Sequence, residues 1–144
     1  VKLIDLNLLL YAVNADSAHH AEARNWLETV LSDNEPVGLP WVVLLGFLRI
    51  ATHPRILSHP LSPDQAMEIV DGWLSVPCVR ILAPREAHWR ILRTLLEATG
   101  TAGNLTTDAH LAALAIENGC ELCSTDGDFH RFPAIRWVNP LAKQ

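Results

Sequence analysis

Apolar residues recur along this chain with two different periods. Ala23, Trp26, Leu27, Val30 and Leu31 fall at i, i+3, i+4, i+7 and i+8, which is one stripe of a 3.6-residue helix. Ala66, Ile69, Val70, Trp73 and Leu74 repeat that template, and so do His88, Ile91, Leu92, Leu95 and Leu96. Ala109, Ala112, Ala113 and Ile116 supply its first four positions once more. Pro40 to Thr52 predicts a fifth helix, with proline in the first turn and Pro54 blocking continuation. A short sixth helix follows Asp5, through Leu8 to Val13. Between these segments lie short apolar runs of strand character: Val1–Ile4, Val37–Leu39, Cys78–Leu82, Glu121–Ser124 and Arg136–Val138. Strands that alternate with helices imply an α/β domain whose mostly parallel central sheet carries helices on both faces. No repeat, linker or low-complexity segment interrupts the pattern, so residues 1–144 are expected to form one domain. Thr99 to Asn104 reads as a flexible loop.

The chain is 49% hydrophobic with a mean hydropathy of +0.15, apolar for a protein in water. No segment approaches the roughly 18 uninterrupted apolar residues that a spanning helix needs. The longest run, Trp41 to Leu48, ends at Arg49. Val1-Lys2-Leu3-Ile4 already has strand character, so no signal peptide is expected. A cytoplasmic location without membrane contact is expected. The spare hydrophobicity fits a homodimer or a partner interface.

Net charge is −5 and the pI about 5.7, whereas proteins that grip nucleic acid by overall charge are basic. Any nucleic-acid chemistry must therefore rest on a metal held by carboxylates, with arginines acting locally on phosphate. Lysine occurs only at Lys2 and Lys143, so arginine dominates the cations. Cys120 and Cys123 form an isolated C-x-x-C without a second pair, and they read as small buried residues rather than a zinc or redox site.

The carboxylates are placed more tellingly. Asp5 follows the first strand, and Asp126 and Asp128 follow the Glu121–Ser124 strand. In open α/β sheets, ligands bind outside the carboxyl ends of the strands. Asp108 opens the Ala109–Ile116 helix and can face the same edge. Each acid alone has an ordinary role: Asp5 and Asp108 as helix caps or first-turn acids, Asp126 and Asp128 as turn residues. Together they make a cluster sufficient for Mg²⁺, which takes one or two carboxylates plus waters.

With these residues in place, the chain resembles a PIN-domain ribonuclease, specifically the VapC-type toxin of a VapBC toxin–antitoxin pair. The matching segments are Ile4-Asp5-Leu6-Asn7, Gly46-Phe47-Leu48-Arg49-Ile50-Ala51-Thr52, Asp108-Ala109-His110-Leu111-Ala112-Ala113, Ser124-Thr125-Asp126-Gly127-Asp128-Phe129 and Arg136-Trp137-Val138-Asn139-Pro140. The resemblance implies a PIN-like three-layer fold and Mg²⁺ or Mn²⁺ held by Asp5, Asp108 and Asp126, with Asp128 as an additional acid. It implies supporting roles for Asn7 and Thr125. It also implies an endoribonuclease acting on structured RNA of the tRNA or rRNA class, a VapB-type antitoxin partner, and homodimerisation. One departure stands out. Such domains usually carry a glutamate on the third helix, and Gly46 occupies that position here, with no acid between Glu35 and Asp64. The alternative reading, a PIN-like module that binds RNA or protein without cutting, draws on that loss.

Arg49, Arg85 and Arg131 lead the candidates for RNA phosphate, with Arg55, Arg90 and Arg93 behind them. Other α/β classes fit poorly. A receiver domain needs a lysine near the last strand, a dehalogenase-type phosphatase wants an aspartate where Asn7 stands, and no glycine-rich dinucleotide turn follows the first strand.

Overall fold

The computed structural model describes residues 1–142, so Lys143 lies outside the described residues. Five strands, β1 (Lys2–Ile4), β2 (Val37–Pro40), β3 (Val79–Leu82), β4 (Glu121–Cys123) and β5 (Arg136–Val138), form one sheet in the order β3-β2-β1-β4-β5. All neighbours run parallel. The helices are α1 (Leu6–Val13), α2 (His20–Leu31), α3 (Trp41–Ala51), α4 (Pro63–Ser75), α5 (His88–Thr99) and α6 (Thr106–Asn118). Helices α1 to α4 pack together as one layer, and α5 pairs with α6 as the other. The mostly parallel sheet and its two helical layers are those expected from the sequence.

Each apolar stripe does what its period implies. Ala23, Leu27 and Val30 of α2 are buried, as are Ala66 and Trp73 of α4. Trp73 packs edge-on against Phe47 of α3 with ring centroids 4.7 Å apart. Helix α6 is buried on nearly every side, from Ala109 through Leu111 to Ala115, so its sequence reads as small and apolar rather than two-faced. Ser62 and Gln65 form a reciprocal capping box at the start of α4, which satisfies two free N–H groups.

Two boundaries differ from expectation. Pro40 has extended backbone (φ −76°, ψ 156°), pairs with Leu82 and caps α3 instead of entering its first turn. Helix α6 begins at Thr106, so Asp108 is its third residue and not its opener. The Thr99–Asn104 loop passes into a 3₁₀ turn, Gly103–Leu105, whose Leu105 is buried.

The strand order sets the location of the site. From β1 the chain moves to β2 and β3 on one side, then returns through α5 and α6 to β4 on the other. The switch lies between β1 and β4, and a crevice opens beyond their carboxyl ends. Ile4 stands beside Cys123 in register, so Asp5 and Ser124 leave the sheet as neighbours.

Candidate metal centre

Asp5 is the N-cap of α1, and its Oδ1 accepts the Leu6 N–H at 2.7 Å. Its own N–H donates to the Cys123 carbonyl at 2.9 Å, which ties it to the end of β4. Ser124, fully buried, donates its hydroxyl to Asp5 Oδ2 at 2.7 Å. That same hydroxyl oxygen accepts from Asn7 Nδ2 at 3.2 Å and from the Asp126 N–H at 3.0 Å. Ser124 therefore joins three of the residues singled out from sequence. Thr125, expected with Asn7 as a supporting residue, makes no side-chain hydrogen bond among the described residues, whereas Ser124 beside it bonds Asp5, Asn7 and the Asp126 N–H. The signal was present as Ser124-x-Asp126: a hydroxyl at the strand end, two residues before the acid, reaches back to that acid's N–H.

Asp126 caps the 3₁₀ turn Gly127–Arg131, and its Oδ1 accepts the Asp128 N–H at 2.9 Å. Phe129, fully buried, anchors this turn in the core. Trp137 of β5 donates from Nε1 to the Ser124 carbonyl at 3.0 Å and so braces the strand end from the other side. Asp108 makes no cap bond and stands free in the first turn of α6. The ordinary roles considered for all three coexist with placement at the site: Asp5 and Asp126 as caps, and Asp108 as an acid in the first turn of α6.

Carboxylate oxygens of Asp108, Asp126 and Asp128 lie within 4.8 Å of one another. Asp5, 8% exposed, lies outside that group and lines a cleft of about 270 Å³ with Asp108, Asp126 and Asn7. Leu6, Leu10, Val42, Val43 and Leu111 form its apolar wall. Burial, followed by the charges of Asp126, Asp5 and Asp128, pushes the Asp108 carboxyl up to about 6. Burial also raises Asp5, against the lowering effect of the Ser124 and Leu6 hydrogen bonds. Such crowding is costly without a cation and favourable with one. The donors fit Mg²⁺ or Mn²⁺, being hard oxygens without thiolate or imidazole. Asn7 Oδ1 is buried without a hydrogen-bond partner, and Asn7 lines the same cleft.

The arginines divide. Arg131 Nε lies 3.9 Å from Asp128 Oδ1, with both side chains about half exposed. Arg49 sits in the last turn of α3, about 12 Å along the helix from the site-facing end at Trp41. Arg85 precedes α5, where its N–H donates to Glu117 near the far end of α6. His110 turns away from the acids toward α5, where its Nδ1 bonds His88 Nε2 at 2.9 Å. Cys120 and Cys123 are free and buried, and burial pushes the Cys123 thiol up to about 12, in keeping with an inert core role.

This sheet order and carboxylate-lined switch point define the class, and sequence comparison agrees. The PIN domain family model matches residues 2–135. The chain belongs to the PIN-domain family and, within it, to the VapC group. Ribonuclease VapC37 of Mycobacterium tuberculosis is 43% identical over 142 residues, covering 99% of each chain. Ribonuclease VapC43 of the same species is 43% identical over 141 residues, 98% of this chain and 96% of the relative. Among solved structures, VapBC2 from Rickettsia felis bound to a promoter DNA fragment superposes with a TM-score of 0.67 at 21% identity, covering 96% of this chain and 97% of that one. Mycobacterium tuberculosis VapC20, described as a sarcin-ricin loop cleaving toxin, gives 0.68 at 19% identity, covering 94% and 98%. No helix among the described residues is long and apolar enough to cross a membrane.

Proposed function

We propose that this protein is a divalent-metal-dependent endoribonuclease toxin that cuts structured RNA of the tRNA or rRNA class. The observation that carries this reading is the convergence of Asp5, Asp108 and Asp126 on one cleft, with Asp128 grouped beside Asp108 and Asp126. Among the described residues, Arg131 is the only cation within ion-pair distance of any of them. The names of the relatives, ribonucleases over nearly their whole length, support it.

Asp108, Asp126 and Asp128 would hold Mg²⁺ or Mn²⁺, which when bound polarises a phosphate oxygen and lowers the pKa of a coordinated water. Asp5 has one lone pair of each oxygen engaged by Ser124 and Leu6, which fixes its plane and leaves the others toward the cleft. It is the group that orients the attacking water and receives its proton. Asn7, held through its Nδ2 by Ser124, would support that arrangement from the wall of the cleft. Arg131, beside Asp128, meets the RNA phosphate, and Arg49 and Arg85 stand further off, within reach of flanking phosphates alone. Single-stranded loops suit this open cleft, because their bases are already unstacked. Incubation with cellular RNA and Mg²⁺ or Mn²⁺ tests the reading. It predicts 5′-phosphate and 3′-hydroxyl ends, and a 2′,3′-cyclic phosphate would contradict it.

A cognate VapB-type antitoxin follows from the same reading, supported by the antitoxin complexes among the structural neighbours. Leu10 lines both the acidic cleft and a second, mostly apolar cavity of about 240 Å³ with Val13, Phe47, Ala51, Leu57 and Leu61. An apolar antitoxin segment lying along α1 and α3 would bring a basic side chain to the aspartates. A homodimer would cover Trp41 and Leu45, exposed one turn apart on α3. Light scattering of the purified chain tests this, with a monomeric mass the contrary result.

A further inference from the structure

The wall of the cleft opposite the aspartates contains no oxygen ligand from α3. Leu6 and Leu10 of α1 face Val42 and Val43 of α3 there. Gly46 lies one turn further along α3, half-buried. A Cβ built on Gly46 would stand 2.7 Å from Leu6 Cδ2, well inside van der Waals contact. Any side chain at position 46 is therefore aimed at Leu6, and it reaches the cleft only if Leu6 gives way. Leu6 in turn is the residue whose N–H holds Asp5. The position that could supply a further carboxylate and the residue that fills its space are thus packed together, and the result is hydrocarbon.

A second divalent ion, about 3.5–4 Å from the first as two-metal sites require, needs oxygen donors on its far side. Mg²⁺ and Mn²⁺ complete an octahedron with waters but still need a carboxylate to anchor them, and leucine and valine offer neither that carboxylate nor a hydrogen-bond partner for the waters. We propose that Leu6 and Gly46 act as a matched pair that restricts this cleft to one divalent ion, seated on the Asp108, Asp126 and Asp128 side. The inference rests on the metal-centre reading above and deepens it. Leu6 determines stoichiometry by occupying space, so replacing glycine alone does not create the second site. Opening that site takes both a carboxylate at 46 and a smaller residue at 6.

The test uses the full chain and Mn²⁺ alone, followed by calorimetry and electron paramagnetic resonance. The expected result for the wild type is one Mn²⁺ per chain, with a spectrum free of metal–metal coupling. The paired variant Leu6→Ala with Gly46→Glu, shown by circular dichroism and cooperative melting to be folded, gains a second Mn²⁺ with spin coupling to the first. Gly46→Glu alone keeps a stoichiometry of one. Two coupled ions on the wild type would overturn the proposal, whatever the variants do, and so would a folded paired variant that still binds one. Absence of Mn²⁺ binding by the wild type would overturn the metal-centre reading itself, and this inference with it. Asp126→Asn separates those cases, because it removes the single ion only if that ion sits in this cleft.

Discussion

Ser124 donates its hydroxyl to Asp5 Oδ2 at 2.7 Å, across a sequence separation of 119 residues. This bond, beside the backbone bond from Asp5 to Cys123, welds the ends of β1 and β4 at the switch point of the sheet. Ser124→Ala strands a buried carboxylate oxygen and removes the hydrogen bonds to Asn7 and Asp126. It should cost about 1–3 kcal/mol of stability. Cleavage should fall roughly tenfold to a hundredfold, as when a group orienting metal ligands is removed. Ser124→Thr, which keeps the hydroxyl, should recover most of the rate. Thermal unfolding and single-turnover cleavage measure the two effects separately.

Asp108 binds its proton more tightly in the folded chain, at about 6, than the usual carboxylate does at 3.8. Folding therefore takes up a proton between about pH 4 and 6, and the stability gained is lost as pH rises through that window. Asp5 shifts in the same direction. Metal-free protein should melt lower at pH 7.5 than at pH 5.5 on account of these groups, and Mg²⁺ should raise the melting temperature chiefly at the higher pH. Asp108→Asn should flatten the metal-free pH dependence while abolishing cleavage. Melting curves in EDTA and in Mg²⁺ provide the check.

Arg131 is the arginine that the fold brings to the acids. Arg131→Ala should weaken RNA binding severalfold and reduce the slope of log affinity against log salt by about 0.7–0.9 for each phosphate that the guanidinium neutralises. Arg85→Ala, near the far end of α6, should leave the slope close to that of the wild type. Filter binding over a range of salt distinguishes them.

Gly38 lies in β2 between Leu3 and Arg80, and a Cβ there would stand 2.3 Å from Leu82 Cδ1. Gly38→Ala should destabilise the fold by about 1–3 kcal/mol through overpacking, without touching the site. Chemical denaturation reads the loss, and the paired change Gly38→Ala with Leu82→Ala should recover part of it.

Much of this fold was legible because burial follows period. The stripes through Ala23, Ala66, His88 and Ala109 mark four helices whose inward faces are those residues. Aspartates at the ends of two apolar runs pointed to one edge, since a parallel sheet puts all its carboxyl ends together. The part that Ser124 plays beside Thr125 was not legible. Both carry hydroxyls, and only the register of β1 against β4 turns one toward Asp5. The start of α6 was hidden for another reason: its first residues, Thr106 and Thr107, are polar and exposed, so the apolar pattern begins late. Which arginine approaches the acids depends on the 3₁₀ turn after Asp126, and turns of that kind leave no periodic trace.

The central claim is that Asp5, Asp108 and Asp126 make a metal-dependent RNA-cutting centre. The most direct measurement is cleavage of total cellular RNA with Mg²⁺ or Mn²⁺, with mapped ends, by wild type beside folded Asp5→Ala, Asp108→Ala and Asp126→Ala. Discrete cuts are expected in the wild type alone, lost in EDTA and restored by added metal. Cuts that persist in EDTA or in all three variants would contradict the account, as would a folded, metal-loaded wild type that leaves RNA intact.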